Sequence, residues 1–429
     1  MLDKNSIRSL REKYLSPSLS LSYEEPLHIV RGEGQYLFDA DGKQYLDAVN
    51  NIQHVGHCHP RVVEAAQRQY ERLNTNTRYL DEVVVHYAKA LTDKLPLGLD
   101  VCFFTNSGSE ANDLALRIAR KYTQSKETIV LDGAYHGNLS SLIEISPYKH
   151  KGPGGVGAPD FVYTIPMPDC YRGKYRGEKS TRRYVKEVVE AIEKIHEKNK
   201  KVSTFISEAL MGCGGQLVLP NNFLKEAFEL IRNVGGLCIS DEVQIGFGRM
   251  GNHFWGFQTE DVIPDIVTMG KSMGNGHPLS AVVTTKEIAD NFNNGMEYFN
   301  SFGGNPVSCA VGQAVLDIIE EENLQQNAMD VGNYLINRLK ELQSKYEIIG
   351  DVRGHGLFIG IELIKDSASF IPASEEANMV VNQMKDVGIL ISLDGPDHNV
   401  LKIKPPIIFT RENADTLVFN LTSIFSQLF

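Results

Sequence analysis

No two of the six cysteines in this 429-residue chain form a CxxC pair, and their scatter over Cys58, Cys102, Cys170, Cys213, Cys238 and Cys309 speaks against a zinc module or a disulfide framework. An excess of positive charge is missing too. Lys and Arg total 43 against 54 for Asp and Glu, and a formal net charge of -11 leaves no electrostatic footprint for nucleic acid. No apolar run approaches the roughly 20 residues needed to cross a bilayer. The opening segment interleaves Asp3, Lys4, Arg8, Arg11, Glu12 and Lys13 with apolar residues, which is unlike a secretory leader. Neither a repeat nor a low-complexity linker is found. These absences predict a soluble, cytoplasmic protein with no nucleic-acid or membrane partner. A histidine-rich stretch from His54 to Pro60 invites a metal reading, but Pro60 suits the first turn of a helix, and no metal is expected.

What is present is ample apolar material, 42% of the chain, enough for a sizeable core shared between two domains. From about Val101 to Thr285, short β-rich runs alternate with helical patterns. The runs are Val101 to Phe104, Thr128 to Leu131, Ser203 to Ile206, Leu237 to Ser240 and Ala281 to Val283. Alternation of this kind predicts an α/β fold with a large, doubly wound, mostly parallel sheet. After about Gly312 the pattern becomes a long amphipathic segment, then a strand over Leu357 to Leu363, a helix near Glu375 to Asp386 and a last helix capped by Thr410. Near the start, Tyr36 to Asp39 and Gln44 to Asp47 flank Asp41-Gly42 as a hairpin that could pack on that terminal region. The expected division is therefore 1–59 as the N-terminal part of a small α+β domain, 60–311 as the large domain and 312–429 as the rest of the small one.

Three segments carry chemistry. Thr105-Asn106-Ser107-Gly108-Ser109-Glu110 follows an apolar strand and opens a helix, so free N–H groups, the helix dipole and the hydroxyls of Ser107 and Ser109 could cradle a phosphate; ordinary helix capping explains the same residues. Ser240-Asp241-Glu242-Val243-Gln244 sets two carboxylates where a strand ends, the place where open parallel sheets bind ligands. Above it, a pyridine ring could have its nitrogen held protonated by Asp241 and its phenolic oxygen bonded by Gln244; a metal-binding or capping pair is the alternative. Asp265 to Gly276 then delivers Lys271 from a short strand into a glycine-rich loop, where desolvation favours nucleophilic amine chemistry. A lone lysine beside glycines is usually only a loop lysine. The chain order of cradle, acid and lysine is what raises it above that.

Together with Tyr135-His136-Gly137 and Gly303-Gly304-Asn305-Pro306, these motifs resemble the class III (subgroup II) aminotransferases of pyridoxal 5′-phosphate (PLP) fold type I, along nearly the whole chain. The resemblance implies Lys271 as the Schiff-base lysine, Asp241 on the ring nitrogen, Gln244 on the ring oxygen and Tyr135 on the ring face. It places Gly108 and Ser109 at the cofactor phosphate, and Ser107, His136 and Glu208 among the cofactor contacts. It also implies a homodimer, or a dimer of dimers, with sites at the interface, where Ser301 matches a threonine that reaches the phosphate across subunits.

Departures from the family pattern bear on the reaction. An arginine that often follows His-Gly and clamps a carboxylate is replaced by Asn138, and a second one before the Pro405-Pro406 pair is replaced by Lys402. Lysine loses the bidentate carboxylate fork but binds phosphate as a point charge. Stretches such as Leu73 to Leu80, Leu139 to Lys149 and Tyr171 to Arg176 resemble the phospho-lyase branch acting on ethanolamine phosphate or 5-phosphohydroxylysine. The expected activity is elimination of phosphate from ethanolamine phosphate, with freed Lys271 as the base; an ω-amine transaminase is the nearest alternative and a non-catalytic PLP-binding protein a more distant one. Candidate cations for the substrate phosphate are Arg78, Arg172, Lys174, Arg176, Lys402 and Lys404, with Arg78 and Lys402 favoured.

Overall fold

The computed structural model describes residues 2–429. Its centre is a seven-stranded sheet in the spatial order Val101–Thr105, Ser280–Thr284, Ile266–Met269, Leu237–Asp241, Val202–Ser207, Glu127–Leu131, Val162–Ile165. All the β-rich runs noted in the sequence lie in it, joined by Val162–Ile165, which the sequence reading passed over. Ser280–Thr284 runs antiparallel to both neighbours and every other pairing is parallel.

Consecutive residues of each strand enter opposite layers. Ile129, Phe205 and Cys238 join one apolar cluster, with the helices Thr181–Glu197 and Phe223–Asn233; Val130, Ile206 and Ile239 join another, with the helix Gly108–Thr123. A strand covered on both faces must be apolar at successive positions, which is why these runs show no polar alternation. The parallel order also brings the carboxyl ends of Val101–Thr105, Leu237–Asp241 and Ile266–Met269 to one edge, so cradle, acid and lysine meet there.

The hairpin Tyr36–Asp39 and Gln44–Asp47 forms as expected, with Ile29–Glu33 added on its outer side. Gln44–Asp47 also pairs in parallel with Ile389–Leu390, so the two ends of the chain share a sheet. A second small sheet has the order Ile349–His355, Phe358–Leu363, Val400–Ile403, Ser392–Asp394. The last helix, Arg411–Leu428, is capped as expected, Thr410 accepting from the Asn413 amide.

The amphipathic segment after Gly312 is two helices, Pro306–Glu321 and Leu324–Gln343, broken where Asn323 turns left-handed at φ 53°. The boundary expected between 311 and 312 thus falls inside a helix. Pro306–Glu321 packs on the large-domain helices Pro60–Arg72 and Glu82–Thr92, whereas Leu324–Gln343 packs on Ile349–His355 and Arg411–Leu428. Helical periodicity runs unbroken through both and carries no mark of which core each face meets. No helix among the described residues is long and apolar enough to cross a membrane.

Candidate active site

At the carboxyl edge of the large sheet lies a cavity of about 320 Å³ whose lining includes Ser107, Gly108, Ser109, Tyr135, His136, Glu208, Asp241, Gln244 and Lys271. Nine of the sixteen candidate residues therefore converge on one space.

Asp241 is the last residue of its strand and is buried. Its Oδ2 accepts from Asn112 Nδ2 at 2.8 Å and lies 2.9 Å from His136 Nδ1, while Oδ1 accepts from the Val243 amide at 3.1 Å. Asn112 is itself fixed, since Thr268 Oγ1 donates to its Oδ1 at 2.6 Å and its Nδ2 also donates to the His136 carbonyl at 2.7 Å. Two donors and the His136 ring nitrogen hold this buried carboxylate in one rotamer, placed to meet a basic ring nitrogen. Asn112 lies just beyond the cradle segment that the sequence singled out. Its place four residues after Gly108, on the same helix face, was the available signal.

The cradle follows from helix-end physics. Ser107 is the N-cap of Gly108–Thr123, its hydroxyl accepting from the Glu110 amide, so the amides of Gly108 and Ser109 have no intrahelical acceptor. The backbone is pressed close: a Cβ at Gly108 would lie 2.8 Å from Val243 Cγ1, and one at Gly137, where φ is +141°, would lie 2.6 Å from Ser109 Oγ. An anion there meets free N–H groups at the positive end of a 16-residue helix.

Lys271 begins a short 3-10 helix at φ 36°. Burial lowers its pKa, and the nearby Lys402 charge acts in the same direction, against Asp241, Cys213 and Glu208. The donor set (anion cradle, ring-nitrogen acid and depressed amine) fits PLP, and His136 Nε2, buried with no partner among the described residues, adds a polar atom still to be satisfied.

Gln244 closes another side. Its Oε1 accepts from Lys404 Nζ at 3.1 Å and from Asn51 Nδ2 at 3.2 Å. Lys404 is fully buried, with Nζ 4.0 Å from the centre of the Phe358 ring. Burial and the neighbouring Lys402 lower its pKa, while burial and Asp241 raise that of Glu208, whose carboxylate accepts from the Gly212 amide. Asn51 carried no sequence signal, because only the fold brings residue 51 to residue 244.

The remaining candidates lie elsewhere. Arg78 is exposed, 3.0 Å from Glu297 and stacked on Phe299, and does not line this cavity. Ser301 is exposed on a loop that Asn300 ties to Glu110 and Asn106, outside the cavity of its own chain; its expected contact is with a second copy. Among the described residues Lys402 has only Asp394, at 3.6 Å, as an ionic partner, and its charge is felt at Lys271. Arg172 is committed to Glu362 and Asp397, Lys174 to Glu187, and Arg176 stacks on Phe370. The histidines of the 54–60 stretch face three different partners: the Phe247 carbonyl for His54, Asp47 for His57 and Glu322 for His59.

Comparison with known proteins agrees with this geometry. The family described as aminotransferase class-III matches residues 20–425. A Drosophila melanogaster protein named alanine–glyoxylate aminotransferase 2-like is 50% identical over 422 residues, covering 96% of this chain and 85% of its own. Ethanolamine-phosphate phospho-lyase homolog 1 of Caenorhabditis elegans is 42% identical over 440 residues, covering 99% and 94%. A solved phospholyase from Arthrobacter, in complex with phosphoethanolamine, superposes with a TM-score of 0.94 at 41% identity, covering 98% of this chain and 100% of its own.

Proposed function

This chain belongs to the class III aminotransferases, with PLP fold type I architecture and pyridoxal 5′-phosphate as cofactor, and from that premise we propose that it is a phospho-lyase converting ethanolamine phosphate and water to acetaldehyde, ammonia and phosphate. One observation carries the reading. The chain offers Lys402, a cation whose charge is felt at Lys271 and whose only ionic partner among the described residues is Asp394 at 3.6 Å, while position 138 holds an exposed asparagine. A point charge suits a phosphate dianion; a carboxylate-binding transaminase gains more from a planar arginine fork. The phospholyase relatives support the same choice of substrate class.

When bound, the cofactor supplies an aldehyde for the substrate amine and a conjugated ring that accepts an electron pair. The protein's residues do the rest. Ser107, Gly108 and Ser109 hold the cofactor phosphate on free amides and hydroxyls, and Asp241, fixed by Asn112 and His136, holds the proton at the ring nitrogen. Lys271 Nζ, whose pKa burial lowers, removes the proton from the amine-bearing carbon. The electron pair of that C–H bond forms a double bond to the adjacent carbon as its C–O bond breaks, and the oxygen leaves with the phosphate, whose charge Lys402 stabilises.

Amino transfer to an oxo acid is the second reading, favoured by the name of the Drosophila relative. Ethanolamine phosphate without any oxo acid separates the two. Sustained, multiple-turnover phosphate release is expected; a single turnover that leaves the cofactor aminated would overturn the lyase assignment. 5-Phosphohydroxylysine, assayed in parallel for phosphate release, is expected to be the poorer substrate.

A further inference from the structure

Gln244 lines the cofactor cavity, but a glutamine amide has two faces of opposite character, and which one it presents is decided behind it. Its Oε1 is occupied twice, by Lys404 Nζ at 3.1 Å and Asn51 Nδ2 at 3.2 Å. Its Nε2 makes no hydrogen bond to the described residues and is not sealed from the cavity. We infer that Lys404 is a positioning residue: it fixes the Gln244 amide with the carbonyl turned away and the two N–H donors turned to the cofactor.

A lysine ammonium has three donors and no acceptor, so a flipped amide would set Nε2 against Lys404 and against Asn51 Nδ2, donor facing donor in a buried space. With the Lys404 amine charged, only one orientation satisfies all three residues. Space enforces it as well. A Cβ at Gly212 would lie 2.4 Å from Gln244 Nε2, so the bare glycine backbone admits the amide and little else. Lys404 is anchored from both ends, its amide donating to the Ala48 carbonyl at 2.8 Å and its Nζ lying over the Phe358 ring. Being fully buried, it also differs from Lys402, which keeps 19% of its side chain exposed. Lys404 thus orients a cofactor ligand, whereas Lys402 pairs with Asp394 at 3.6 Å.

The inference rests on assigning this cavity to PLP and not on the choice between elimination and amino transfer. Its test therefore needs no substrate. In Lys404→Met holoenzyme the cofactor dissociation constant should rise about tenfold, as for loss of one charge-assisted hydrogen bond, and the pH midpoint of the visible absorption band should move by about one unit. Lys404→Arg, which keeps a donor, should recover part of both. In a Gln244→Ala background Lys404→Met should add nothing, because the effect passes through that amide. A full effect in that background would overturn the inference. So would an unchanged spectrum and cofactor affinity with a raised KM for ethanolamine phosphate, which would make Lys404 a substrate ligand. If Lys404→Met does not fold, Asn51→Ala, which removes the other donor, should shift the band in the same direction by less; no shift would count against the proposal. Absence of multiple-turnover phosphate release would remove the lyase reading and leave this spectral result standing.

Discussion

Lys271 enters the cavity from a backbone at φ 36°, a region that costs an L-residue roughly 1–2 kcal/mol and persists only where the surroundings hold it. That strain separates two variants that both lack the amine. Without cofactor, Lys271→Gly should unfold at higher temperature than Lys271→Ala, by the equivalent of about 1 kcal/mol; equal midpoints would mean that the loop relaxes freely. Asn112→Ala removes the donors to Asp241 and to the His136 carbonyl, leaving that buried carbonyl unmatched at about 1–3 kcal/mol and Asp241 Oδ2 with His136 Nδ1 alone. Both lower thermal stability and weaker cofactor binding are expected, read by a melting curve and by cofactor titration. Gly108→Ala should spare most of the stability and weaken the cofactor, because its Cβ meets the stiff, branched Val243 at 2.8 Å and displaces the cradle. At this scale Lys271, Asp241 and Gly108 were legible, because each follows a strand in a fixed chain order. The roles of Asn112 and Asn51 were not, since a hydrogen bond to a residue far along the chain leaves no local pattern.

The strand end that carries Asp241 also carries Glu242, whose fully buried carboxylate accepts from the Gly256 and Phe257 amides and from Ser240 Oγ. It ties the 3-10 helix Gly256–Glu260 to the sheet. Burial pushes its pKa up to about 7 against the pull of those three donors. A raised carboxyl pKa stabilises the fold fully below the unfolded value near 4.5 and loses that contribution as pH rises through about 7. The thermal midpoint should therefore fall between pH 5 and 8, and Glu242→Gln, which cannot titrate, should start lower and show a flatter profile. A second tie joins the loop after Val162–Ile165 to the C-terminal sheet. Glu362, buried, receives both Arg172 and Arg353, and Arg353 also pairs with Asp351. Glu362→Ala leaves Arg172 with Asp397 alone and Arg353 with Asp351 alone, and should destabilise the fold by less than the roughly 3–5 kcal/mol of a fully unpaired buried charge, measurable by denaturant unfolding. The basic loop that looked like a phosphate binder is thus partly a structural clamp. Sequence could not reveal this, because Arg172 and Glu362 are distant in the chain and a polar loop arginine ordinarily faces water.

For the whole molecule, the expected homodimer stands as a proposal, and the surface gives it a location. Tyr79 and Leu80 are 69% and 106% exposed, Met296, Phe299 and Phe302 are 73%, 42% and 71% exposed, and the Arg78–Glu297 pair joins the two segments. Exposed apolar side chains on two joined segments are where the proposed interface would lie. Sedimentation should give a dimer or a dimer of dimers. Mixing Lys271→Ala with Ser301→Ala chains should restore activity above the mean of the two, because one site of the hybrid regains both residues; strict averaging would place Ser301 in its own subunit's chemistry or in none. The sequence by itself determined whatever is local: strands apolar at successive positions, helix caps at Ser107 and Thr410, and the spacing of cradle, acid and lysine. The tertiary structure alone decided which helix joins which core, which cations are free and which way Gln244 faces. Those outcomes depend on side chains from residues 51, 244 and 404 meeting in one buried space, and desolvation there gives each partner a weight that no local pattern encodes.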